Sequence, residues 1–481
     1  MIRFLIDQDI VELQDARADL TLLQYIREHR KKTGTKEGCA AGDCGACTVV
    51  LGELKASSSG QTSLYYRTVN SCITLMSAVH GKQLLLVEHL SEGDQLHPVQ
   101  QALVDHHGSQ CGFCTPGFIM SMFALYHTQS APNRDDVLHA LSGNLCRCTG
   151  YRPIIDATLA VCEGPVDDKF SRLKSTTITQ LQSITVEKPG MANILMPTTR
   201  EALRKAIAEH KGAQLVAGST DLSLQFTQQL KNAGTLISLS QVDTLTYCTK
   251  NEHSLLIGAA TPLNDVTPLL LECFPQLAEL ITRFASLPIR HQATMGGNVA
   301  NASPIGDLPP LLLALEATLH IDNGETVRKI PISEFFVAYR QTTLADNEWI
   351  AAIELPLQKP LQRLAAYKIS KRFEDDISAV CAVFNLTLEN GKVTSLLTGF
   401  GGVAATPVQC ISLQDALIGK KFASRECLNM GKQLLFDAFS PIDDVRASAQ
   451  YRKTVLANLW HRFWLENQST SHIETRVVQH A

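Results

Sequence analysis

The sequence predicts a multidomain α+β protein, and three observations lead to this prediction. Its 481 residues suffice for three or four domains of about 100–200 residues each. Two cysteine-rich regions occupy the first third, one among short strands and one among helices. The remainder alternates apolar strands, small-residue turns and helices. We expect a small sheet domain at 1–80, a helical domain at 84–162, a linker at 163–188, an α+β domain at 189–358 and a small α/β domain at 364–468.

The composition is that of an ordinary globular protein and argues against two functional classes. The chain is 45% hydrophobic and 19% charged, with a net charge of −4 and no basic run, so nucleic-acid binding is not expected. No stretch approaches the ~20 apolar residues of a membrane span. Met1–Asp7 becomes charged too soon for a signal peptide. The 14 cysteines therefore favour metal ligation over disulfides, and we expect a cytoplasmic protein.

The first cysteine region has the spacing C-x4-C-x2-C, formed by Cys39, Cys44 and Cys47, and Cys72 follows after 24 residues. This is the ligand spacing of a plant-type [2Fe–2S] cluster. The glycines interspersed among these cysteines permit positive φ angles and leave main-chain amides free to point at sulfur. Structural zinc sites usually combine short paired knuckles, which this asymmetric motif lacks. The region is therefore predicted to bind a [2Fe–2S] cluster.

The elements around this loop predict a small mixed sheet packed by one helix. Alternating apolar residues predict two short strands within 2–13, and an amphipathic pattern predicts a helix at 21–29. Strands at 48–51, with Leu54, and at 63–69 follow, joined by a turn at 57–60. This arrangement resembles the β-grasp ferredoxin domain.

Four further cysteines form the pairs Cys111-x2-Cys114 and Cys146-x-Cys148, separated by 31 residues. Both pairs lie at the ends of predicted helices, so they can enclose a second [2Fe–2S] cluster. The spacing alone leaves zinc open as an alternative. The helices predicted in this region cover 99–106, 118–127, 134–141 with Asn133 as N-cap, and 155–161.

Together the two regions resemble the iron–sulfur part of the xanthine dehydrogenase/aldehyde oxidase family of molybdenum hydroxylases. The resemblance rests on Cys39–Cys47 with Cys72, on Gln110–Gly117 and on Gly143–Tyr151, and it covers all the ligand positions. It implies two [2Fe–2S] clusters, of which the helical-domain cluster lies nearer to the molybdenum cofactor while the plant-type cluster relays to flavin. Gln110 corresponds to a position that approaches the pterin of the molybdenum cofactor.

Two later stretches have the chemistry of a phosphate-binding turn. Leu215–Asp221 runs from an apolar strand into a Gly/Ser/Thr turn before a helix, whose first amides attract a phosphate. Thr294–Asp307 combines a glycine pair with small polar side chains. Neither stretch is a dinucleotide fingerprint or a P-loop, which disfavours a Rossmann or NTPase fold. Turns of this composition also occur without a ligand.

By the same resemblance, both stretches bind FAD. Phe284 would pack on the isoalloxazine ring, although an ordinary core phenylalanine is an equally simple reading. A cation at Lys368 would stabilise reduced, anionic flavin. Tyr339 matches a position near the nicotinamide site, and Arg372 and Asp375 match a charged loop that affects the choice of electron acceptor. The implied FAD contacts are Leu215, Val216, Ala217, Gly218, Ser219, Thr220, Asp221, Phe284, Thr294, Gly297, Asn298, Asn301, Asp307, Ile350 and Lys368.

The last region predicts a hairpin followed by helices. Strands are expected at 379–388 and 392–400 around Glu389-Asn390-Gly391, a strong turn signal. Helices are expected near 413–418, 427–439 and 447–467. This resembles the family's small flavoprotein C-terminal domain.

The resemblance implies an electron-transfer subunit acting in the oxidation of hypoxanthine and xanthine to urate. Electrons would leave a molybdenum site, pass the two clusters and FAD, and reduce NAD+. Since the chain ends after the flavin region, a separate molybdopterin-binding large subunit is implied, in a heterotetramer of two small and two large subunits. The alternatives are a stand-alone iron–sulfur flavoprotein NAD(P)H reductase, a subunit of an aldehyde or other N-heterocycle hydroxylase, and a non-catalytic zinc protein.

Overall fold

A computed structural model describes residues 1–56, 60–184, 186, 189–468 and 475. The chain forms two compact units. The first unit comprises 1–243, 262–264 and 285–293, and the second comprises 244–261, 265–284 and 294–481. The predicted turn at 57–60 falls largely outside the described residues. Within the described ranges, no helix combines the length and the apolar character that crossing a lipid bilayer requires.

The first unit begins with a five-stranded mixed sheet. Strand Ile2–Ile6 pairs antiparallel with Asp9–Leu13 and parallel with Gln83–Leu85. Strand Thr48–Ala56 joins Gln83–Leu85 to the edge strand Thr62–Asn70. The predicted strands are confirmed, and they are longer than expected at the 48–70 hairpin.

A helical turn covers this sheet, and it departs from the predicted α-helix over half its length. Thr21 caps a short α-helix, Leu22–Gln24, which continues as the π-helix Tyr25–His29. Leu22, Leu23 and Ile26 are buried, so the predicted apolar face is confirmed. Two 3-10 turns complete this region, Met76–Val79 and Val87–His89.

Four helices follow, close to the predicted bounds: Pro98–Asp105, Thr115–Thr128, Arg134–Leu141 and Arg152–Val161. Asn133 caps the third helix by accepting a hydrogen bond from the Asp136 amide at 3.0 Å, as predicted. The second helix is buried from Gly117 to Tyr126, so it is apolar on all sides. It forms the centre of the helical core.

The segment 163–188 differs from the expected exposed linker. It contains the helices Lys169–Arg172 and Lys174–Ser183, and Phe170 and Leu181 are buried. Asp168 both caps the first of these helices and accepts hydrogen bonds from His97 and His127 at 2.8 and 2.7 Å. These long-range contacts hold the segment against the rest of the unit. Because its partners are distant in the sequence, the segment itself shows no periodic pattern from which the helices could be predicted.

The first unit also contains a four-stranded sheet. Its strands are, in spatial order, Gly190–Met191, Ile194–Leu195, Leu236–Ser238 and Gln214–Val216. The helices Arg200–Glu209, Ser223–Thr227 and Leu287–Arg290 belong to the same unit. Residues 189–243 therefore pack with the cysteine-rich regions.

The second unit is built on an antiparallel five-stranded sheet with the order Cys248–Lys250, Ser254–Gly258, Trp349–Pro356, Thr318–Asp322, Val327–Pro331. A two-stranded hairpin, Phe336–Ala338 and Gln341–Thr342, is separate from it. The helical segments of this region are Leu263–Cys273, which starts at the unit boundary, Pro275–Leu277, Ala278–Thr282, Met295–Ala300, Leu308–Ala314 and Ile332–Glu334.

The last part of the second unit is a three-stranded antiparallel sheet, Gln362–Ile369, Val380–Glu389 and Lys392–Gly401. The predicted turn is confirmed, with positive φ at Asn390 (51°) and Gly391 (73°). The predicted helices are confirmed as Ile411–Leu417, Arg425–Asp437 and Ala449–Glu466. Their core is aromatic, with Trp460 packing among Phe384, Phe422 and Phe463.

Candidate functional site

The four cysteines of the first motif converge in the first unit. The Cys47 and Cys72 sulfurs are 3.2 Å apart, and hydrogen bonds connect the Cys39 thiol to Cys44 and Cys72. Cys47 and Cys72 are buried, whereas Cys39 and Cys44 are half-buried. Four thiols around one point are the donor set that a [2Fe–2S] cluster needs, so these residues fit the group.

The loop 38–45 turns main-chain amides toward sulfur. The amides of Ala41 and Asp43 both lie 3.3 Å from the Cys39 sulfur. Gly42 and Gly45 have φ angles of 84° and 69°, which produce this tight turn. Hydrogen bonds from Cys44 and Cys72 hold the pKa of the Cys39 thiol well below its usual range. The loop is thus arranged to stabilise thiolate.

The second set of cysteines also converges, at the surface of the first unit. Hydrogen bonds pair Cys111 with Cys148 and Cys114 with Cys146. Cys111 and Cys148 are exposed, Cys114 is half-buried and Cys146 is buried. Two pairs at helix ends can enclose a [2Fe–2S] cluster, as predicted.

Residues after the last cysteine pair orient Cys146. The Thr149 hydroxyl and amide lie 3.1 and 3.4 Å from the Cys146 sulfur, and the Cys146 amide donates to the Tyr151 hydroxyl at 3.1 Å. Burial acts to raise the pKa of Cys146, but hydrogen bonds from Thr149, the Cys148 amide and Cys114 together lower it. For Cys114 burial prevails and raises the pKa to about 12. The two deeper thiols of this site therefore differ in acidity.

The two cysteine loops touch each other directly. The Leu145 amide donates to the Cys44 carbonyl at 3.0 Å. A Cβ at Gly45 would lie 2.3 Å from the Gly143 carbonyl oxygen, so the backbones meet where only glycine fits. One main-chain hydrogen bond thus joins the residue before Cys146 to Cys44.

The predicted FAD stretch Leu215–Asp221 lies in the first unit at the end of strand Gln214–Val216. Val216 is buried and Asp221 is exposed, and the others are half-buried. A Cβ at Gly218 would lie 1.9 Å from the Gln292 carbonyl oxygen, and Ser219 has a φ of 58°. The following helix has only five residues, Ser223–Thr227, so the helix-dipole part of the phosphate argument is weaker than expected.

This stretch is fastened to the first cysteine site. The Ser219 and Ser223 hydroxyls donate to the Ile73 carbonyl at 3.2 and 2.7 Å. The Gln228 side-chain Nε2 donates to the main-chain carbonyls of Cys39 and Ala40 at 3.0 and 2.9 Å. The Ser219 side chain therefore contacts the residue after Cys72.

The second predicted stretch lies in the second unit. Thr294 caps helix Met295–Ala300 through a 2.9 Å hydrogen bond from the Gly297 amide. Gly297 is exposed and Asn301 half-buried. The Asn298 Oδ1 atom is buried and has no hydrogen-bond partner among the described residues. An orphaned acceptor beside an open glycine fits a ligand with donor groups, which FAD has.

Asp307 and Lys368 meet in the second unit as a buried ion pair. The Lys368 Nζ lies 2.6 Å from Asp307 Oδ2 and 3.0 Å from the Ser378 hydroxyl. The Ser378 hydroxyl in turn donates to Asp307 Oδ1 at 2.5 Å. The Lys368 charge is therefore compensated rather than isolated, a feature that the sequence did not reveal.

The remaining predicted residues are spread over both units. Ile350 is buried at the second position of strand Trp349–Pro356, and Phe284 is half-buried just beyond Ala278–Thr282. Tyr339 is 59% exposed, so it is not a core residue. Arg372 is exposed and donates to the Asp375 carbonyl at 3.0 Å. Gln110 is exposed beside the second cysteine site.

Sequence reasoning missed several neighbours of the cysteines. Thr149 and Tyr151 follow Cys148 in the run Thr-Gly-Tyr. Their closeness to Cys146 and Cys148 in the sequence could have identified them as neighbours of the site. Gln228 lies far along the chain in a polar segment, and nothing local marks it. Asn70 is buried two residues before Cys72 and pairs with Thr48, the neighbour of Cys47, but the spacing of the cysteines does not single it out.

Four family models match the chain in order. They are the 2Fe-2S iron-sulfur cluster binding domain at 5–77, the [2Fe-2S] binding domain at 86–159, the FAD binding domain in molybdopterin dehydrogenase at 190–358 and the CO dehydrogenase flavoprotein C-terminal domain at 365–467. A xanthine dehydrogenase of Emericella nidulans is 31% identical over 99% of this chain and 39% of its own length. The chain belongs to the iron–sulfur/FAD part of the molybdenum hydroxylase family.

Solved structures share the fold of this family. Carbon monoxide dehydrogenase from Hydrogenophaga pseudoflava matches with a TM-score of 0.54 at 23% identity, covering 58% of this chain and 96% of that chain. Quinoline 2-oxidoreductase from Pseudomonas putida 86 matches with a TM-score of 0.52 at 22% identity, covering 58% and 98%. The predicted multidomain α+β class, with two [2Fe–2S] domains and an FAD-binding domain, is confirmed. The chain spans about two fifths of the length of the curated xanthine dehydrogenases it matches.

Proposed function

We propose that this chain is the electron-transfer subunit of a cytoplasmic xanthine dehydrogenase. It serves the oxidation of hypoxanthine and xanthine to urate by passing electrons from a molybdenum site on a large partner subunit to NAD+. When bound, the iron–sulfur clusters supply one-electron transfer, and FAD couples single electrons to hydride transfer. The proposal for the whole enzyme draws on the similarity to xanthine dehydrogenases of 30–31% identity.

The observation that supports this proposal best is the order of groups in the first unit. The second cysteine site is exposed, and its loop contacts the more buried first site through the Leu145–Cys44 hydrogen bond at 3.0 Å. The first site in turn accepts hydrogen bonds from Gln228, which follows the predicted FAD stretch. A series of this kind leads from the protein surface toward the flavin residues.

In this proposal each cysteine set ligates one [2Fe–2S] cluster. Cys39, Cys44, Cys47 and Cys72 hold the first, and Cys111, Cys114, Cys146 and Cys148 hold the second. The amides of Ala41 and Asp43 stabilise thiolate at Cys39 by their 3.3 Å contacts. Thr149 does the same for Cys146.

We assign FAD to the two stretches and to the residues that the family resemblance implies. Asn298 offers its unpaired Oδ1 to a donor of the ligand. The buried Lys368 Nζ is paired with the Asp307 carboxylate and the Ser378 hydroxyl. Ser219 is assigned a main-chain role toward FAD, since its hydroxyl donates to Ile73.

The partner is proposed to dock over the second cysteine site. Phe113, Leu145 and Tyr151 are 48%, 45% and 37% exposed, and each lies within three residues of Cys111 or Cys148 in the sequence. An exposed aromatic and aliphatic patch at a redox site is the kind of surface that a protein partner covers. We propose a molybdopterin-binding large subunit there, in a heterotetramer of two small and two large subunits.

The test is to purify the tagged chain from its native host and assay the complex. Xanthine-dependent NAD+ reduction, with molybdenum and a large partner present, is the expected result. Oxidation of aldehydes or another N-heterocycle, with xanthine inert, would replace the substrate assignment while keeping the subunit role. Iron and FAD without molybdenum or partner, and NAD(P)H oxidation by the chain alone, would identify a stand-alone reductase instead.

A further inference from the structure

We propose that the Asn70 side chain donates a hydrogen bond to the first cluster and raises its reduction potential. The inference rests on the proposed function, because it takes Cys39, Cys44, Cys47 and Cys72 as ligands of that cluster. Asn70 is thus a positioning and tuning residue, and it ligates no iron itself.

The main chain holds Asn70 firmly beside the cluster ligands. It is the last residue of strand Thr62–Asn70 and pairs with Thr48, the neighbour of Cys47. Its carbonyl accepts hydrogen bonds from the Ile73 amide at 3.1 Å and from the Thr74 amide and hydroxyl at 3.2 and 2.8 Å. These bonds form the turn that contains Cys72, so the backbone of Asn70 is fixed relative to it.

The Asn70 carboxamide is fully buried and unsatisfied. The residue is 0% exposed, and neither Oδ1 nor Nδ2 has a hydrogen-bond partner among the described parts of the chain. An unpaired buried amide destabilises the fold, so such a group ordinarily serves a partner. Cys72 follows Asn70 by two residues, and Cys47 precedes Thr48, the pairing partner of Asn70, by one; their sulfurs are 3.2 Å apart.

The carboxamide is directed at the cluster side of this turn. The Asn70 side chain faces the Cys47 thiol without meeting full hydrogen-bond geometry. A cluster bound by Cys47 brings further sulfur acceptors to the same place.

The effect on potential follows from charge. A one-electron reduction adds negative charge to the cluster, and an N–H donor directed at sulfur stabilises the reduced form more than the oxidised form. The main-chain amides of Ala41 and Asp43 also point at a ligand sulfur, but a side-chain substitution does not remove a main-chain donor. Asn70 does it from a side chain, so its contribution can be removed experimentally.

The experiment is an EPR-monitored redox titration of the purified holoenzyme. Asn70→Leu removes the donor at similar volume, and Asn70→Asp also adds charge. Asn70→Ser keeps a shorter donor. A hydrogen bond to a charged acceptor corresponds to roughly a tenfold shift, so in Asn70→Leu the ratio of reduced to oxidised first cluster at a fixed potential should fall about tenfold, or 59 mV for one electron. The reduction potential of the first cluster should fall less in Asn70→Ser and more in Asn70→Asp than in Asn70→Leu.

Two further variants make the titration specific. Thr149→Val removes the hydroxyl at Cys146 and identifies the signal of the second cluster by shifting it. Asn385→Leu removes another buried amide, one that donates to the Ala314 carbonyl in the second unit, and should move neither signal.

The outcomes separate this inference from the proposed function. A wild-type protein without two [2Fe–2S] signals would contradict the cluster assignment itself. Two normal signals, with the first-cluster potential unchanged in all three Asn70 variants, would overturn the role of Asn70 alone. If Asn70→Leu fails to fold, the potentials of Asn70→Asp and Asn70→Ser test the inference. A purely structural role of Asn70 predicts no larger fall in potential for Asn70→Asp than for Asn70→Ser.

Discussion

At the first cysteine site, neighbouring donors rather than burial decide which thiols ionise most easily. Cys47 is buried, yet hydrogen bonds from Cys72 lower its pKa. Cys162 is equally buried without such partners, and burial raises its pKa to about 11. The contrast shows that hydrogen-bond partners, and not burial alone, set the acidity of these two thiols.

Replacing a ligand should therefore remove one cluster and leave the other. In Cys47→Ser we expect about two of the four irons to be lost, with the remaining [2Fe–2S] signal unchanged. Iron analysis and EPR measure this. Cys162→Ser is the matched control and should retain all the iron. Loss of both clusters in Cys47→Ser, or of iron in the control, would refute the residue assignment.

A half-buried carboxylate on the same sheet, that of Glu53, predicts a pH dependence of stability. Burial acts against ionisation of Glu53, but Lys82 at 2.8 Å and Arg67 at 3.0 Å hold its pKa at about 2. Because the folded pKa lies below the unfolded value, the stabilisation is complete above about pH 4.5 and is lost as the pH falls toward 2.

Glu53→Gln should lower the free energy of unfolding by roughly 2–3 kcal/mol at pH 7, following the size of the pKa shift. Denaturant titrations at several pH values test this. The difference between variant and wild type should shrink steadily from pH 4.5 to pH 2.5. A difference that stays constant over this interval would show that the carboxylate charge is not responsible.

At the scale of elements, local signals predicted some segments closely and missed others. Helix Arg134–Leu141 has the predicted bounds because Asn133 caps it and Val137, Ala140 and Leu141 form one buried face. The helices of 169–183 were missed because their buried face is small and their anchor is distant. His97 and His127 lie 71 and 41 residues from Asp168.

Removing that anchor should release the segment. In Asp168→Ala, His97 and His127 lose a buried acceptor and helix Lys169–Arg172 loses its N-cap, for a local loss of about 3 kcal/mol. Hydrogen exchange should rise over 168–184 while the sheet 2–13 stays protected. Asp167→Ala, whose side chain is 83% exposed, is the control. Equal exchange in both variants would rule out Asp168 as the anchor.

At the scale of the whole molecule, motifs predicted the cofactors better than they predicted the packing. The cysteines could be recognised from the sequence because most of them stand in short motifs of fixed spacing, C-x4-C-x2-C, C-x2-C and C-x-C. The association of 189–243 with the first unit could not be read, because Ser223–Ile73 and Gln228–Cys39 contacts span 150 and 189 residues. Likewise, the Asp307–Lys368 pair joins positions 61 residues apart.

The exposed patch at the second cysteine site predicts how the chain assembles. Phe113→Ser should reduce co-purification of the large subunit at least about tenfold, since buried aromatics dominate interface energy. Iron content should not change. Leu230→Ser, at a residue 81% exposed in the same unit, is the control and should bind the partner normally. Unchanged recovery with Phe113→Ser would place the partner elsewhere.

The most direct measurement is the iron, zinc and flavin content of the purified chain, read together with its EPR spectrum after reduction. The account predicts about four irons and one FAD per chain, no stoichiometric zinc and two distinct [2Fe–2S] signals. Zinc in place of iron at either cysteine site, or a single cluster signal with all eight cysteines intact, would contradict it.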